Sequence, residues 1–159
     1  MIPKFEATVQ DIVNSTALWE KRLAAIPETV LATRRNGQNR TIKQILGHLI
    51  DSASNNTHRI VHLQYQPSPF NFPNYATNGN NDRWIAIQNY QDESWENLIQ
   101  LWKYSNLHLA HVIANIDPDK LDNEWVASEG TNITLESMVM DYPRHLELHM
   151  GEIEQLMRG

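Results

Sequence analysis

The segment TIKQILGHLIDSASNNTHRIVHLQY, residues 41–65, decides the fold. Its apolar residues recur at Ile42, Ile45, Leu46, Leu49 and Ile50, the three-and-four spacing of one helix face. Thr41 can cap the first turn while Gln44, three residues on, reaches back to it, so a capping box starts the helix. Such a helix is roughly 30 Å long. A rod of that length with one apolar stripe needs partners of similar length, which points to a bundle.

The partners lie on either side. Val9, Ile12, Val13, Thr16, Trp19, Leu23 and Ile26 repeat the helical spacing until Pro27 halts it. A third helix is expected from Asp92 as N-cap, through Trp95, Leu98, Ile99, Trp102, Leu109, Val112, Ile113 and Ile116. Asp117-Pro118 ends it, because a residue before proline avoids the helical region. A fourth starts at Thr134 and carries Leu135, Met138, Val139, Leu146, Leu148, Ile153 and Leu156. The expected fold is all-α: a four-helix bundle occupying residues 1–159 as one domain.

Two connections interrupt this pattern. QPSPFNFPNYATNGNNDRW, residues 66–84, is a long Pro-, Asn- and Gly-rich loop between the second and third helices, and loops of that length often cover a functional site. A short helical turn is expected near Trp84 to Tyr90. DPDKLDNEWVASEGTNI, residues 117–133, has room for a small turn or a two-stranded excursion.

Composition narrows the function. The 159 residues carry a net charge of −6, and the basic residues are scattered apart from Arg34-Arg35, which argues against a protein that grips phosphate backbones. No apolar run is long enough for a membrane span. There is no cysteine, hence no disulfide, thiolate metal site or cysteine nucleophile. The N-terminal stretch MIPKFEATVQ lacks the basic-then-apolar pattern of a signal peptide, and with the missing cysteines this favours a cytoplasmic address.

The second helix has an unusual face. At about 100° per residue, Asn55 and Arg59 project within roughly 20° of His48, with Asp51 and Ser52 flanking that line. Such a row is either solvated surface or the wall of a polar pocket; Ile45 and Leu49 beside it keep the pocket open as a reading.

Histidine pairs are frequent. His145 and His149 are four apart on the last helix, as are His58 and His62 on the second, while His108 and His111 are three apart on the third. Imidazoles one turn apart can reach one ion, and zinc, nickel and iron all accept them. His62 lies about 21 Å along the helix from His48, too far to share an ion with it. Spacing nominates three pairs and does not choose among them.

The segments IKQILGHLIDSASNNTHRI and YPRHLELHMGEIEQL together resemble the DinB/YfiT-like family of metal-dependent enzymes. The matching motifs are His48, Leu49 and Asp51 in one, and His145, His149, Gly151 and Glu152 in the other. Asp51-Ser52 and Arg59 are similar to the YfiT branch, which includes bacillithiol transferases. The resemblance implies a four-helix bundle with one divalent ion (Zn, Ni or Fe) held by His48, His145 and His149, and water completing the shell. Three histidine ligands leave an open position, the pattern of a catalytic site. It further implies transfer of a low-molecular-weight thiol to an electrophilic small molecule, or related hydrolase or isomerase chemistry, with a bound thiolate or water as nucleophile. The alternative is a bundle that binds a metal or small ligand without turnover. Neither nucleic acid nor membrane is an expected partner; a homodimer is compatible with a bundle, although no apolar seam stands out.

Several residues accompany this set. Asp51 could orient a ligand histidine or accept a proton, or be a solvated aspartate. Asn55 and Arg59 could contact a polar or anionic group of the thiol cosubstrate; for Arg59 an ordinary interhelical ion pair competes. Glu152 could bond an imidazole from behind, but reads more simply as a surface carboxylate near a helix end. Trp84 is a candidate pocket lid. Pro143 removes a hydrogen bond inside the last helix and should kink it or restart it. In the family a tryptophan often precedes the capping threonine, whereas NGQNRT runs straight into Thr41 here.

Overall fold

A computed structural model describes residues 1–159. Four long helices form the body: α1 (Glu6–Ala24), α3 (Ile42–Leu63), α5 (Trp95–Ala114) and α6 (Leu135–Arg158). Between them lie two shorter helices, α2 (Glu28–Thr33) and α4 (Asn80–Gln88), and a hairpin of β1 (Glu124–Ser128) and β2 (Thr131–Thr134). None of the helices is long and apolar enough to cross a membrane.

The helix starts follow from local chemistry. At α3, Thr41 Oγ1 accepts from the Gln44 amide and Gln44 Oε1 accepts from the Thr41 amide, completing the capping box. Such a cap contributes about 1 kcal/mol. Thr134 caps α6 by accepting from the Ser137 amide, without a bond in return to its own amide. The cap of α5 is Ser94 rather than Asp92, because a 3-10 turn over Tyr90–Asp92 consumes the aspartate and the Asn97 amide donates to Ser94 Oγ. Helix α2 was not expected; it begins directly after Pro27, the residue that ends α1.

Packing pairs α3 with α5 and α6, and α1 with the same two helices. Two of the three consecutive pairs of long helices, α1 with α3 and α5 with α6, therefore sit on diagonals of the bundle, where short connections would make them neighbours; only α3 and α5 pack side by side. The core closes on Ile12, Leu23, Leu46, Leu49, Trp102, Leu109, Ile113 and Ile153. Burial of one such aliphatic side chain contributes about 1.5–3 kcal/mol. Leu148, expected on the apolar stripe of α6, is instead 52% exposed: residue 149, not 148, faces inward at that turn. Helix α6 runs unbroken through Pro143.

The connections build a wall at one side of the α3–α6 pair. Trp125 pairs with Ile133 across the hairpin, Gly130 takes a positive φ of 73° at its turn, and β2 feeds straight into α6. The loop after α3 adds a rung, with the Phe70 amide donating to the Glu124 carbonyl at 2.8 Å and Phe70 O accepting from the Val126 amide at 2.9 Å. The two-stranded excursion is therefore real, and it carries Trp125 over α3.

Candidate metal centre

The pairing of α3 with α6 brings together three histidines that are far apart in the chain. Candidate ligand atoms of His48, His145 and His149 all lie within 4.8 Å of one another. The ring centroids are 4.6 Å apart for His48–His149 and His145–His149, and 5.3 Å for His48–His145, each pair edge to face. His58, His108 and His111 are exposed; His62 stacks on Phe70 and pairs with the Tyr65 hydroxyl at 2.8 Å. Only the triad converges.

The groups behind the rings set which nitrogens point inward. His149 Nδ1 lies 3.0 Å from Glu152 Oε2, and a carboxylate only accepts, so Nδ1 donates to it and Nε2 is the nitrogen left to ligate. Asn36 Nδ2 donates to the same Glu152 oxygen at 3.2 Å. Glu152 is thus half-buried and engaged, not the surface carboxylate of the simpler reading. His145 Nδ1 faces Ser52 Oγ at 3.4 Å, which again leaves Nε2. The buried Nδ1 of His48 has no partner at all.

Burial keeps two of the rings neutral. It holds His48 down to about 3, aided by the neighbouring His149, His145 and Arg40. For His145 burial is again the main cause, with His149 and Arg144 adding to it, and the value falls to about 4. Neutral imidazole is the form that ligates. Neutral rings with inward nitrogens, one orphaned polar atom and a carboxylate behind one ring fit a divalent ion. Metal–nitrogen bonds are about 2.0–2.1 Å, within reach of small side-chain rotations from the observed separations.

The polar row on α3 is no solvated face: His48, Asp51, Ser52, Asn55 and Arg59 are all buried, and Ser52 and Arg59 line a cavity beside His145. Asp51 makes no hydrogen bond to a histidine. Its Oδ1 accepts from Tyr90 Oη at 2.6 Å and Gln88 Nε2 at 2.7 Å, Oδ2 is unpartnered, and burial pushes its carboxyl up. Asp51 thereby ties α3 to Gln88 at the end of α4 and to Tyr90 just after it. Asn55 turns back onto the Asp51 carbonyl at 2.9 Å and does not line the cavity; Asn56, the next residue round the helix, does. Arg59 is in no ion pair. Its guanidinium lies 4.0 Å over Trp125 and 5.6 Å from both Phe72 and Tyr75.

A cavity of about 570 Å³ opens beside His145, with Ser52, Arg59, Tyr75, Trp125 and Tyr142 among its walls. Tyr75 is the ring that reaches the triad, 5.8 Å from His48, while Trp84 packs on the outside of Tyr75. Sequence reasoning missed Tyr75 and Trp125 as site residues. Tyr75 comes from the irregular connection after α3 and Trp125 from the short strand β1, segments too short or irregular for a periodic signal, and only their aromatic character between the long helices marked them.

The description of the DinB superfamily matches residues 12–153. The chain belongs to the DinB superfamily. Among solved structures, YfiT from Bacillus subtilis superposes with a TM-score of 0.84 at 16% identity, covering 99% of this chain and 88% of that one. It is described as a probable metal-dependent hydrolase with an unusual four-helix bundle topology. A mycothiol-dependent maleylpyruvate isomerase superposes with a TM-score of 0.75 at 13% identity, covering 93% of this chain and 60% of that one. At these identities the likeness is one of fold. No curated protein matches the chain by sequence.

Proposed function

We propose that this DinB protein is a metal-dependent enzyme in which His48, His145 and His149 hold one divalent ion, and that it transfers a low-molecular-weight thiol to an electrophilic small molecule. The convergence of the three imidazoles at the edge of a cavity carries the reading. A divalent ion held there would lower the pKa of a coordinated thiol or water, making the nucleophile available at neutral pH.

The chain's own residues do the rest. Glu152 fixes the tautomer and tilt of His149, and Ser52 supports His145. Tyr75, backed by Trp84, closes the triad from solvent on the His48 side. The chain has no cysteine, so the transferred sulfur belongs to the substrate. In the transfer a carbon–sulfur bond forms, the thiol proton is released, and the electrophile loses its leaving group or gains a proton on the adjacent carbon. The mycothiol dependence in the name of one fold neighbour supports a thiol cosubstrate. Bacillithiol-like thiols and a cytoplasmic address are part of the same proposal.

The test is elemental mass spectrometry for zinc, nickel and iron on untagged protein beside His48→Ala and His149→Ala. About one ion per chain in the wild type, lost in both variants, supports the site; no uptake on reconstitution overturns it. A panel of thiols and electrophiles then separates the readings. Chelator-sensitive turnover supports the enzyme, whereas a tightly held ion without turnover favours a bundle that only binds.

A further inference from the structure

Arg59 is 5% exposed, and its Nε and Nη2 are buried without a hydrogen-bond partner. Trp125 Nε1, on the residue against which the guanidinium stacks, is buried and unpartnered as well. Both residues line the same cavity as His145. A guanidinium stays charged at neutral pH, and burial of an unpaired charge is costly, so a fixed anion would be the expected neighbour. None is present. Asp141, the one acidic wall residue, is engaged by Arg144 through two hydrogen bonds of 2.6 and 2.8 Å. Asn74 is spent on the Ala127 carbonyl and the Ala76 amide.

The surroundings also fix the orientation of the group. The guanidinium carbon lies 4.0 Å over the Trp125 ring and 5.6 Å from the Phe72 and Tyr75 rings. Three rings so close restrict the group, and its unpartnered Nε and Nη2 are the pair of donors that suits a planar, two-oxygen partner. We propose that the Arg59–Trp125 wall is a carboxylate subsite, which seats a carboxylate-bearing substrate in the cavity so that its reacting end lies toward His145 and the triad. This rests on the functional reading above for its reacting end, and stands on the cavity alone for its carboxylate. The carboxylate can belong to the thiol or to the electrophile.

Binding to zinc-supplemented protein tests the proposal with two matched pairs in calorimetry. Benzoate and benzamide are free of thiol; 3-mercaptopropionate and 2-mercaptoethanol differ mainly in the carboxylate. The acid is expected to bind about tenfold or more tightly than its neutral partner in at least one pair, since a charged hydrogen-bonded contact is worth that much. The preference should disappear in Arg59→Met and survive in part in Arg59→Lys, with circular dichroism unchanged. A preference confined to the thiol pair assigns the carboxylate to the thiol, and one confined to the other pair assigns it to the electrophile. Acids no tighter than their partners in both pairs overturn the subsite, as does a preference that persists in Arg59→Met. The wild-type comparison needs no variant, so a misfolded Arg59→Met leaves the question decidable. Zinc content of the same samples separates the two readings: acid preference without zinc removes the metal centre alone, and zinc without acid preference removes the subsite alone.

Discussion

His149 Nδ1 sits 3.0 Å from Glu152 Oε2, one turn along the same helix, and Asn36 holds that oxygen from the opposite side. The contact makes Glu152 the residue that fixes the imidazole's proton and angle. Glu152→Ala should lower metal affinity by about 10–100-fold while leaving the three histidines in place. Competition against a chromogenic chelator measures this directly. Affinity within a factor of two of wild type would show that the contact is incidental.

Gly47 precedes His48, and the ring of Tyr90 lies against it: a Cβ there would come within 2.1 Å of a Tyr90 ring carbon. Alanine would raise helix propensity by about 1 kcal/mol at an open site. Here the aromatic ring has to move, and overpacking of this kind costs about 1–3 kcal/mol. Gly47→Ala should therefore lower the urea midpoint; a raised midpoint would mean that Tyr90 relocates at no cost.

Asp51 and Tyr90 are both buried and meet at 2.6 Å. Tyr90→Phe and Asp51→Asn should each destabilise the fold, and their double-mutant cycle should give a coupling of about 1–2 kcal/mol. Additive effects would sink the idea that this bond anchors the segment between α4 and α5.

Acid should unfold the chelated protein early. In the folded chain His48 and His145 resist protonation down to about 3 and about 4, whereas in the unfolded chain they protonate near their ordinary value of 6.5. Below that value the unfolded state binds more protons, so stability declines as pH drops from about 6.5 toward 4 and continues toward 3. Urea midpoints taken with excess chelator at several pH values should fall across this window. The slope should flatten in His48→Gln, and an unchanged slope would show that this ring does not contribute.

The sequence was most legible where one local rule acts without help. The Thr41–Gln44 box, the stop at Pro27 and the stripe Ile12–Thr16–Trp19–Leu23 were readable because capping and 3.6-residue periodicity are properties of short windows. Asp92 misled for the same reason: two acceptors near one helix start look alike until the 3-10 turn over Tyr90–Asp92 takes one of them. Leu148 misled because proximity to the stripe does not say which side of α6 faces α3.

By itself, the sequence determined four long amphipathic helices, an all-α bundle and, through its resemblance to a family, the three histidines worth watching. Spacing alone left His145–His149 level with His58–His62 and His108–His111. The tertiary structure decided among them by placing α3 against α6, so that only the first pair meets His48. It also buried Arg59 beneath Trp125, a residue 66 positions further along the chain. Helical periodicity reports which face of a segment is apolar, not which helix will cover its polar row. That depends on the diagonal placement of α1 against α3 and of α5 against α6, which is settled by how the whole core packs and how the long connections cross it.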